Sequence, residues 1–358
     1  MNLPTTDDFH SIVINETPLL DVRAPVEFEN GAFSNATNLA ILDDEQRRLV
    51  GIRYKERGNE SAIKLGEELV EKEERIAKWK EYLKENPNAL LYCFRGGQRS
   101  GISQAWLSEA GIEITRLKGG YKAFRQYLMD QTLEISAKTN TFILGGRTGS
   151  GKTLLLPFIE NSIDLEGLAN HRGSSFGSFI SPQPTQINFE NDLAYELIRF
   201  DAKDYKNLVI EHESHNIGRA FIPKPVYDNF MKGRLVILET PLDARIDITY
   251  EEYVTSAIKD YVQKYGEEGL AKWADSINAA FNKIKKRLGS ESHLKLKTMF
   301  DEAYSIHAGE AGENLHKKWI EELLTGYYDP MYDYQLEKSP IPVIFRGDSE
   351  EVLSFLRG

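Results

Sequence analysis

The chain is poor in cysteine and has no long apolar run. Cys93 is the one cysteine among 358 residues, so no internal disulfide can form. No stretch of about 18 consecutive apolar residues is present, which argues against a membrane-spanning helix. Residues 1–8 lack the basic and apolar regions of a signal peptide. Together these absences predict a cytoplasmic protein that does not contact a membrane.

Basic residues are fewer than acidic residues, so the net charge is −11. This charge argues against a general nucleic-acid binder, since affinity for phosphate backbones comes from cationic side chains. Two segments differ from the rest. Residues 89–126 contain six Lys or Arg against two acidic residues, and residues 281–298 contain six against one. These segments are either local nucleic-acid contacts or ordinary solvated helix faces.

The length and the order of predicted elements indicate two α/β domains. In the first, residues 1–133, apolar runs at 18–22, 89–93 and 112–117 predict strands, and the segments 61–86 and 98–110 predict helices. Because strands alternate with helices, we expect a parallel sheet. The polar segment 130–140 has no clear periodicity and predicts the boundary.

The second domain, residues 134–358, begins with another strand–loop–helix pattern. Strands are expected at 141–144, 208–211, 234–239 and 341–345, and helices at 152–159 and 349–356. Residues 243–325 have a helical pattern rich in Lys, Glu and Ala. This order predicts a P-loop NTPase-like α/β domain with a helical C-terminal part.

The first candidate site surrounds Cys93, which follows a strand and opens a glycine-rich loop. Backbone N–H groups of such a loop can point at a thiolate, and Arg95 and Arg99 add positive charge. Gly96 and Gly97 let the backbone close around a small anion. The alternatives are a buried inert cysteine and a phosphatase, since Cys93-x5-Arg99 is also the cysteine-phosphatase spacing.

Two flanking segments distinguish these alternatives by resemblance. Residues 20–28 (Leu-Asp-Val-Arg-Ala-Pro-Val-Glu-Phe) and Gly119-Gly120-Tyr121 resemble segments before and after the active-site cysteine of the rhodanese family. Tyr92 stands where cysteine phosphatases usually have His. The Gly-His-Ile-Pro-Gly-Ala segment of rhodaneses is altered here at residues 31–36. The resemblance implies a rhodanese-like domain, although some phosphatases share that fold.

The second candidate site is a complete phosphate-binding motif between a strand and a helix. Its residues are Gly146, Gly149, Ser150, Gly151, Lys152 and Thr153. In such a loop the N–H groups surround phosphate oxygens, the lysine reaches across them, and the threonine hydroxyl can hold Mg²⁺. Glu211 or Glu213, at the end of a later strand, is where a carboxylate on the metal side is expected, and an ordinary strand-end charge is the alternative.

Further candidates lie in polar segments next to the phosphate loop. His171 could be an acid or base, a phosphate contact or a structural residue, and Arg172 and Arg219 could contact phosphate. Residues 327–334 (Tyr-Tyr-Asp-Pro-Met-Tyr-Asp-Tyr) form an aromatic cluster. We expect the cluster to be buried packing, with base stacking as the alternative. No metal site is certain from these residues.

The order of these motifs resembles one family, the bacterial tRNA 2-selenouridine synthases, in which a rhodanese domain is fused to a P-loop domain. Four segments carry the resemblance, namely residues 93–100, 145–153, 164–177 and 327–335. It spans nearly the whole chain. It implies a transferase that acts on 2-thiouridine at the wobble position of tRNA.

The family resemblance also implies the two steps and their co-substrates. The sulfur of 2-thiouridine would be geranylated from geranyl diphosphate, and selenium from selenophosphate would then replace it, with Cys93 carrying selenium as a selenylsulfide. No tightly bound cofactor is expected, and Mg²⁺ is compatible with the phosphate loop. Binding of the tRNA anticodon loop gives the basic segments a role, with contacts expected from the following residues: Lys122, Arg125, Lys285, Lys286 and Arg287. The rival hypothesis is a sulfurtransferase or phosphatase domain fused to an ATP-dependent kinase.

Overall fold

The computed structural model describes residues 3–307 and 309–357. The chain divides into two compact units. The first contains residues up to 135 together with 185–204, and the second contains 136–184 together with 205 onward. Among the described residues, every helix is too short or too polar to cross a membrane.

The first unit is built on a five-stranded parallel sheet, which confirms the predicted fold class. Its strands are Thr5–Thr6 (β1), Leu19–Asp21 (β2), Ala36–Asn38 (β3), Leu90–Tyr92 (β4) and Thr115–Leu117 (β5). Their spatial order is β1-β5-β4-β2-β3. Because the strand before Cys93 is the central one, the cysteine lies at the middle of the carboxyl edge of the sheet.

The helices of this unit differ from the sequence prediction in the segments 61–86 and 130–140. They are Phe9–Ile14 (α1), Pro25–Asn30 (α2), Asp44–Leu69 (α3), Lys72–Glu85 (α4), Gln98–Glu109 (α5) and Gly120–Lys138 (α6). The single helix expected at 61–86 is wrong, because Val70 is extended and separates α3 from α4. Helix α3 begins earlier, at a capping box between Asp43 and Gln46. Helix α6 covers most of the segment in which a domain boundary was expected.

The second unit contains another five-stranded parallel sheet and a small antiparallel pair. Its strands are Asn140–Gly145 (β6), Ser162–Ile163 (β7), Asn207–Glu211 (β8), Asn216–Ile217 (β9), Ala220–Phe221 (β10), Arg234–Leu238 (β11) and Val343–Gly347 (β12). The large sheet has the order β12-β11-β6-β8-β7, and β9 pairs with β10. The strand before the phosphate loop is central, as in P-loop folds.

The helices from residue 152 onward confirm the helical C-terminal part. They are Lys152–Leu155 (α7), Leu165–Leu168 (α8), Gln186–Ala202 (α9), Lys224–Phe230 (α10), Leu242–Tyr250 (α11), Ala257–Tyr265 (α12), Gly269–Leu288 (α13), Ser290–Ser305 (α14), Gly309–Leu323 (α15), Asp329–Lys338 (α16) and Ser349–Arg357 (α17). Two π-helical segments, Glu251–Ser256 and Leu324–Tyr328, join neighbouring helices. The helix expected at 152–159 is shorter, because Pro157 lies in a 3₁₀ turn, Leu156–Phe158.

Helix α9 belongs to the first unit, although the division expected at residues 133 and 134 assigns it to the second domain. The side chain of Asn191 donates to the carbonyl of Ala32 at 2.7 Å, and Asn188 accepts from the amide of Ala32 at 2.8 Å. Tyr195 donates to Asn35 at 2.9 Å. The first two contacts satisfy the backbone groups of Ala32, and the third holds the side chain of Asn35, in the loop before β3 where the rhodanese segment is altered.

Candidate functional site

The thiol of Cys93 lies at the carboxyl end of β4, where the loop turns into α5. Only 3% of the residue is exposed. Its Sγ atom is 3.2 Å from the hydroxyl of Ser100, in the first turn of that helix. The amides of residues 94–97 donate to no protein acceptor in the described part of the chain. The loop therefore presents unused N–H donors next to a sulfur atom, which suits a small anion.

The segment Gly119-Gly120-Tyr121 holds the cysteine loop from the opposite side. The amide of Tyr121 donates to the carbonyl of Cys93 at 2.9 Å. Gly120 has a φ of +60°, and a Cβ at this residue would lie 2.2 Å from the same carbonyl oxygen. Because both the conformation and the space exclude a side chain, glycine is required here. This contact explains why the cysteine loop is accompanied by the Gly119-Gly120-Tyr121 segment in the sequence.

The two arginines of the loop have different environments. Arg99 is half-buried, and its Nη2 donates to Glu27 at 3.0 Å. Burial tends to lower the pKa of Arg99, but the hydrogen bonds and charge of Glu27 outweigh burial and raise it. Arg47 also contacts Glu27, at 3.1 Å. Arg95 is exposed and has no ion pair within the described residues. Arg95 is therefore the free cation of the loop.

The sequence Asp21-Val22-Arg23 forms a buried frame behind the loop. Arg23 and Asp21 are 2.6 Å apart and almost fully buried. Arg23 also donates to the carbonyl of Gly31 at 2.9 Å and lies 4.0 Å from the ring centre of Tyr121. A buried ion pair is stable only when its remaining hydrogen bonds are satisfied, as they are here. These residues therefore support the cysteine loop from behind.

The phosphate loop has the conformation that its glycines predict. Gly149 has a φ of +76°, and a Cβ there would lie 2.4 Å from the hydroxyl of Thr249. The amides of Gly151, Lys152 and Thr153 donate to no protein acceptor among residues 3–307 and 309–357. The ammonium of Lys152 lies 3.1 Å from the carbonyl of Gly146, so it is folded across the loop. This arrangement fits a phosphate or diphosphate.

Carboxylates crowd the Thr153 side of the loop. The hydroxyl of Thr153 donates to Glu211 at 3.0 Å and lies 3.2 Å from Glu166. Burial, followed by the charges of Glu166 and Asp164, raises the pKa of Glu211 well above its ordinary value. Burial and Glu166 raise the pKa of Glu213 to about 8. Both shifts favour the protonated form of these two carboxyl groups relative to a solvent-exposed glutamate.

These carboxylates do not form a complete metal cage. In the described part of the chain, no three His, Cys, Asp or Glu side chains converge as ligands. A Mg²⁺ ion usually takes one or two protein ligands and completes its shell with water and substrate phosphates. Thr153 and Glu211, which are already in contact, are the residues that fit this role. The expectation of Mg²⁺ stays a prediction.

A half-open cavity of about 880 Å³ extends from the phosphate loop. Its wall combines three kinds of side chain. Carboxylates come from Asp164, Glu166, Glu213 and Glu252, cations from Arg172, Arg287 and Lys338, and apolar or aromatic surface from Phe179, Met231, Ile248, Tyr253, Tyr327, Tyr328, Met331, Tyr332, Tyr334 and Ile341. The cavity could therefore hold a ligand with a charged phosphate end and an apolar remainder.

Helix α16 and the π-helical segment before it brace this cavity, a role that sequence reasoning missed. Arg245 donates to both carboxylate oxygens of Asp329, at 3.0 and 2.6 Å, and to the carbonyl of Thr148 in the phosphate loop at 3.0 Å. Arg147, also in the loop, contacts Asp333 at 2.8 Å. In the sequence, the one feature that hints at this role is the i, i+4 spacing of Asp329 and Asp333, which places both on one face of α16. The preference for packing is confirmed for Tyr327 and Tyr328, which are buried, and is wrong for Tyr334, which is 56% exposed.

Of the remaining predicted site residues, Arg172 lines the phosphate-loop cavity, whereas His171, Arg219 and Arg125 do not. His171 is nearly buried, burial lowers its pKa, and it does not line the phosphate-loop cavity, whereas its neighbour Arg172 does. Arg219 is exposed outside the cavity, and its amide donates to Gln183 at 2.7 Å. Arg125 is held by Glu190 and, at 2.7 Å, by Asn191, so its guanidinium is occupied within the first unit.

The basic residues in the last turn of helix α13 are exposed. Lys285, Lys286 and Arg287 form its last turn and have no ion pair in the described parts of the chain. Arg287 also lines the phosphate-loop cavity. Lys122, in the first unit, is exposed next to the cysteine loop, where its amide donates to the carbonyl of Phe94 at 2.9 Å. These four cations are available to an anionic partner.

Fold and sites together define a protein in which a rhodanese-like unit is joined to a P-loop unit. Comparison with family models agrees, since residues 5–127 match the rhodanese-like domain and residues 139–358 match the tRNA 2-selenouridine synthase AAA domain. The second match covers more than half of the chain. The chain belongs to the tRNA 2-selenouridine synthase family.

Curated relatives support this assignment along the full length. A protein of Sulfurovum sp. named tRNA 2-selenouridine synthase is 49% identical, with 99% of this chain and 98% of that protein covered. A protein of the same name from Hydrogenovibrio crunogenus is 49% identical, with 99% of each chain covered. One from Shewanella denitrificans is 45% identical, covering 98% of this chain and 97% of the relative.

Proposed function

We propose that this protein is a cytoplasmic tRNA-modifying transferase that converts wobble 2-thiouridine into 2-selenouridine in two steps. The sulfur is first geranylated from geranyl diphosphate, and selenium from selenophosphate then replaces the geranylated sulfur. The observation that carries the proposal is the presence of two anion-binding loops, one with a thiol and one with a phosphate motif, in a chain whose full-length relatives are named tRNA 2-selenouridine synthase. Neither loop alone would account for both steps.

The first step belongs to the phosphate loop. The sulfur of 2-thiouridine attacks C1 of geranyl diphosphate, and the C–O bond breaks as diphosphate leaves with its electron pair. The N3 proton of the base passes to solvent. The free amides of Gly151, Lys152 and Thr153, with the ammonium of Lys152, would stabilise the developing charge on the diphosphate. A bound Mg²⁺ would supply further charge neutralisation at the diphosphate.

The second step belongs to the cysteine loop. Selenium of selenophosphate attacks C2 of the base, and geranyl thiolate leaves with its electron pair. Water then takes the phosphoryl group, so C2=Se and an N3–H remain and no net oxidation occurs. The thiol of Cys93 and the amides of residues 94–97 would hold the selenium donor against C2. If Cys93 instead carried the selenium as a selenylsulfide, the exchange at C2 would be the same. The cycle would then also need an oxidant to form the S–Se bond and a reductant to break it.

Binding of tRNA would use the exposed cations of both units. Lys285, Lys286 and Arg287 lie at the C-terminal end of α13, and Arg287 lines the phosphate-loop cavity. Lys122 and Arg95 are exposed near the cysteine loop. Because the protein is acidic overall, binding should be confined to these surfaces and should weaken steeply with salt.

The test is a product analysis on a defined RNA. An anticodon stem-loop containing wobble 2-thiouridine is incubated with the protein and geranyl diphosphate, and selenophosphate is added afterwards. Digestion and mass spectrometry should show S-geranyl-2-thiouridine first and 2-selenouridine second. No change in nucleoside mass, together with robust ATP turnover, would contradict the proposal and favour a kinase.

A further inference from the structure

A second large recess lies in the first unit, next to the cysteine loop, and no part of the two-step scheme yet uses it. It has a volume of about 850 Å³, within the range of ligand-binding cavities. Its apolar wall includes Val50, Ile52, Ala62, Ile63, Ile102 and Trp106. We refer to this recess, bounded by α3 and α5, as the α3 groove.

The groove exists because α3 folds back on itself. Gly58 has a φ of +78° and interrupts the helix. Gln46 donates to the carbonyl of Leu69 at 2.7 Å, and a Cβ on Gly66 would lie 3.8 Å from the side chain of Val50. Residues near the start of the helix therefore meet residues near its end, which makes α3 an antiparallel helical hairpin. Such a hairpin is not needed to complete the five-stranded sheet.

The interior of the groove is apolar and partly open. Ile52 is 40% exposed, and Ile63, Ile102 and Trp106 are half-buried. Open apolar surface of this kind is costly in water and commonly marks a binding site. An occupant of the groove must therefore bring an apolar surface of its own.

The ends of the groove are charged. Arg95, Gln98 and Arg99 line it, and all three belong to the cysteine loop or the first turn of α5. Lys55 and Arg47 also line it. Glu27 offsets the charges of Arg47 and Arg99, whereas Arg95 is unpaired among described residues. The recess thus combines an apolar wall with cations of the cysteine loop, Arg95 and Arg99, whereas Cys93 itself does not line it.

We propose that the α3 groove holds the geranyl chain of the S-geranylated wobble nucleoside while selenium replaces its sulfur. The inference rests on the proposed function and assigns the substrate contact of the second step. The apolar wall fits the ten-carbon chain, and the cations of the cysteine loop fit the phosphates that flank the nucleoside. The base then lies at the cysteine loop, with the leaving geranyl thiolate already in an apolar environment. The P-loop cavity is not needed to hold the chain in this step.

The test compares two anticodon stem-loops that differ only in the S-alkyl group, geranyl or methyl. Binding to the full-length protein is measured by fluorescence anisotropy. The wild-type protein should bind the geranyl RNA about tenfold or more tightly, because apolar groups in a fitted pocket contribute at least that much. Ile52→Ser with Ile63→Ser should remove about tenfold of this preference and leave the methyl RNA affinity unchanged. The exposed Ile52→Ser alone gives a smaller loss in the same direction without disturbing buried packing.

Ile14→Ser is the matched control, because Ile14 is an isoleucine of similar exposure, 37%, on α1 and does not line the groove. It should leave both affinities unchanged. Equal wild-type affinity for the two RNAs, or an equal effect of the control, would overturn the inference. So would a geranyl preference that survives both groove substitutions but disappears in Met331→Ser, in the P-loop cavity.

The same RNAs separate this inference from the proposed function. Adding selenophosphate to the geranyl RNA bypasses the geranylation step. If the geranyl RNA is converted to 2-selenouridine equally well without Ile52 and Ile63, the role of the α3 groove is wrong and the proposed function stands. If the protein prefers the geranyl RNA through Ile52 and Ile63 but does not convert it, the groove does bind the geranyl chain. The proposed replacement of sulfur by selenium is then contradicted.

Discussion

The ion pair between Arg245 and Asp329 should stabilise the phosphate loop, and Arg245→Met tests this. Arg245 is 3% exposed and donates to Asp329 at 3.0 and 2.6 Å and to the carbonyl of Thr148 at 3.0 Å. Removing one partner of a buried pair typically costs about 3–5 kcal/mol, because the other charge stays buried without compensation. The side chain of Asp329 retains 15% exposure, and Arg147 lies 3.9 Å away. We therefore expect the lower end, about 3 kcal/mol.

The assay is urea unfolding, combined with pyrophosphate binding. Arg245→Met should lower the free energy of unfolding by about 3 kcal/mol, and the double variant with Asp329→Leu should recover part of that loss. Pyrophosphate affinity should fall about tenfold, because the carbonyl of Thr148 in the phosphate loop loses the hydrogen bond that Arg245 donates to it. Lys224→Met is the control, since it removes only the exposed pair with Asp228, worth less than about 1 kcal/mol. A cost below about 1 kcal/mol for Arg245→Met, or strict additivity in the double variant, would refute the reasoning.

Three further predictions follow from individual sites. Burial and Glu166 raise the pKa of Glu213 from 4.5 to about 8, so the unfolded chain loses this proton first and stability falls as pH rises from about 5 to 8. Glu213→Gln should therefore be nearly neutral at pH 5 and stabilising by at most about 4 kcal/mol at pH 8, measured by urea unfolding. Gly120→Ala should abolish selenium transfer and spare geranylation, since its Cβ would lie 2.2 Å from the cysteine carbonyl; unchanged selenium transfer would contradict this. Replacing Lys285, Lys286 and Arg287 with Gln should weaken tRNA binding and reduce the slope of log K against log salt, by about one for each phosphate that the variant no longer binds.

The features that the sequence predicted best depend on neighbouring residues. The phosphate loop and the cysteine loop are defined by glycines and charges within eight residues, and the strands before them are continuous apolar runs. Local spacing also determines their conformations, because the glycines at 149 and 151 adopt positive φ values. These elements could therefore be predicted without knowledge of the tertiary fold.

The features that the sequence missed depend on distant pairs. The partner of Arg245 lies 84 residues away, and that of Arg99 lies 72 residues away, so neither spacing carries a signal. Helix α9 has an ordinary amphipathic pattern, and its packing in the first unit depends on contacts with residues near 32 and 35. The break between α3 and α4 was missed because Val70 continues the apolar pattern while its backbone becomes extended.

The central claim is that each loop performs one step, and single-turnover assays on two variants test it most directly. Lys152→Ala should fail to geranylate 2-thiouridine RNA yet convert preformed S-geranyl RNA into 2-selenouridine. Cys93→Ser should geranylate normally and fail to introduce selenium. If either variant, shown to be folded, loses both steps to the same extent, the division of chemistry between the two loops is wrong.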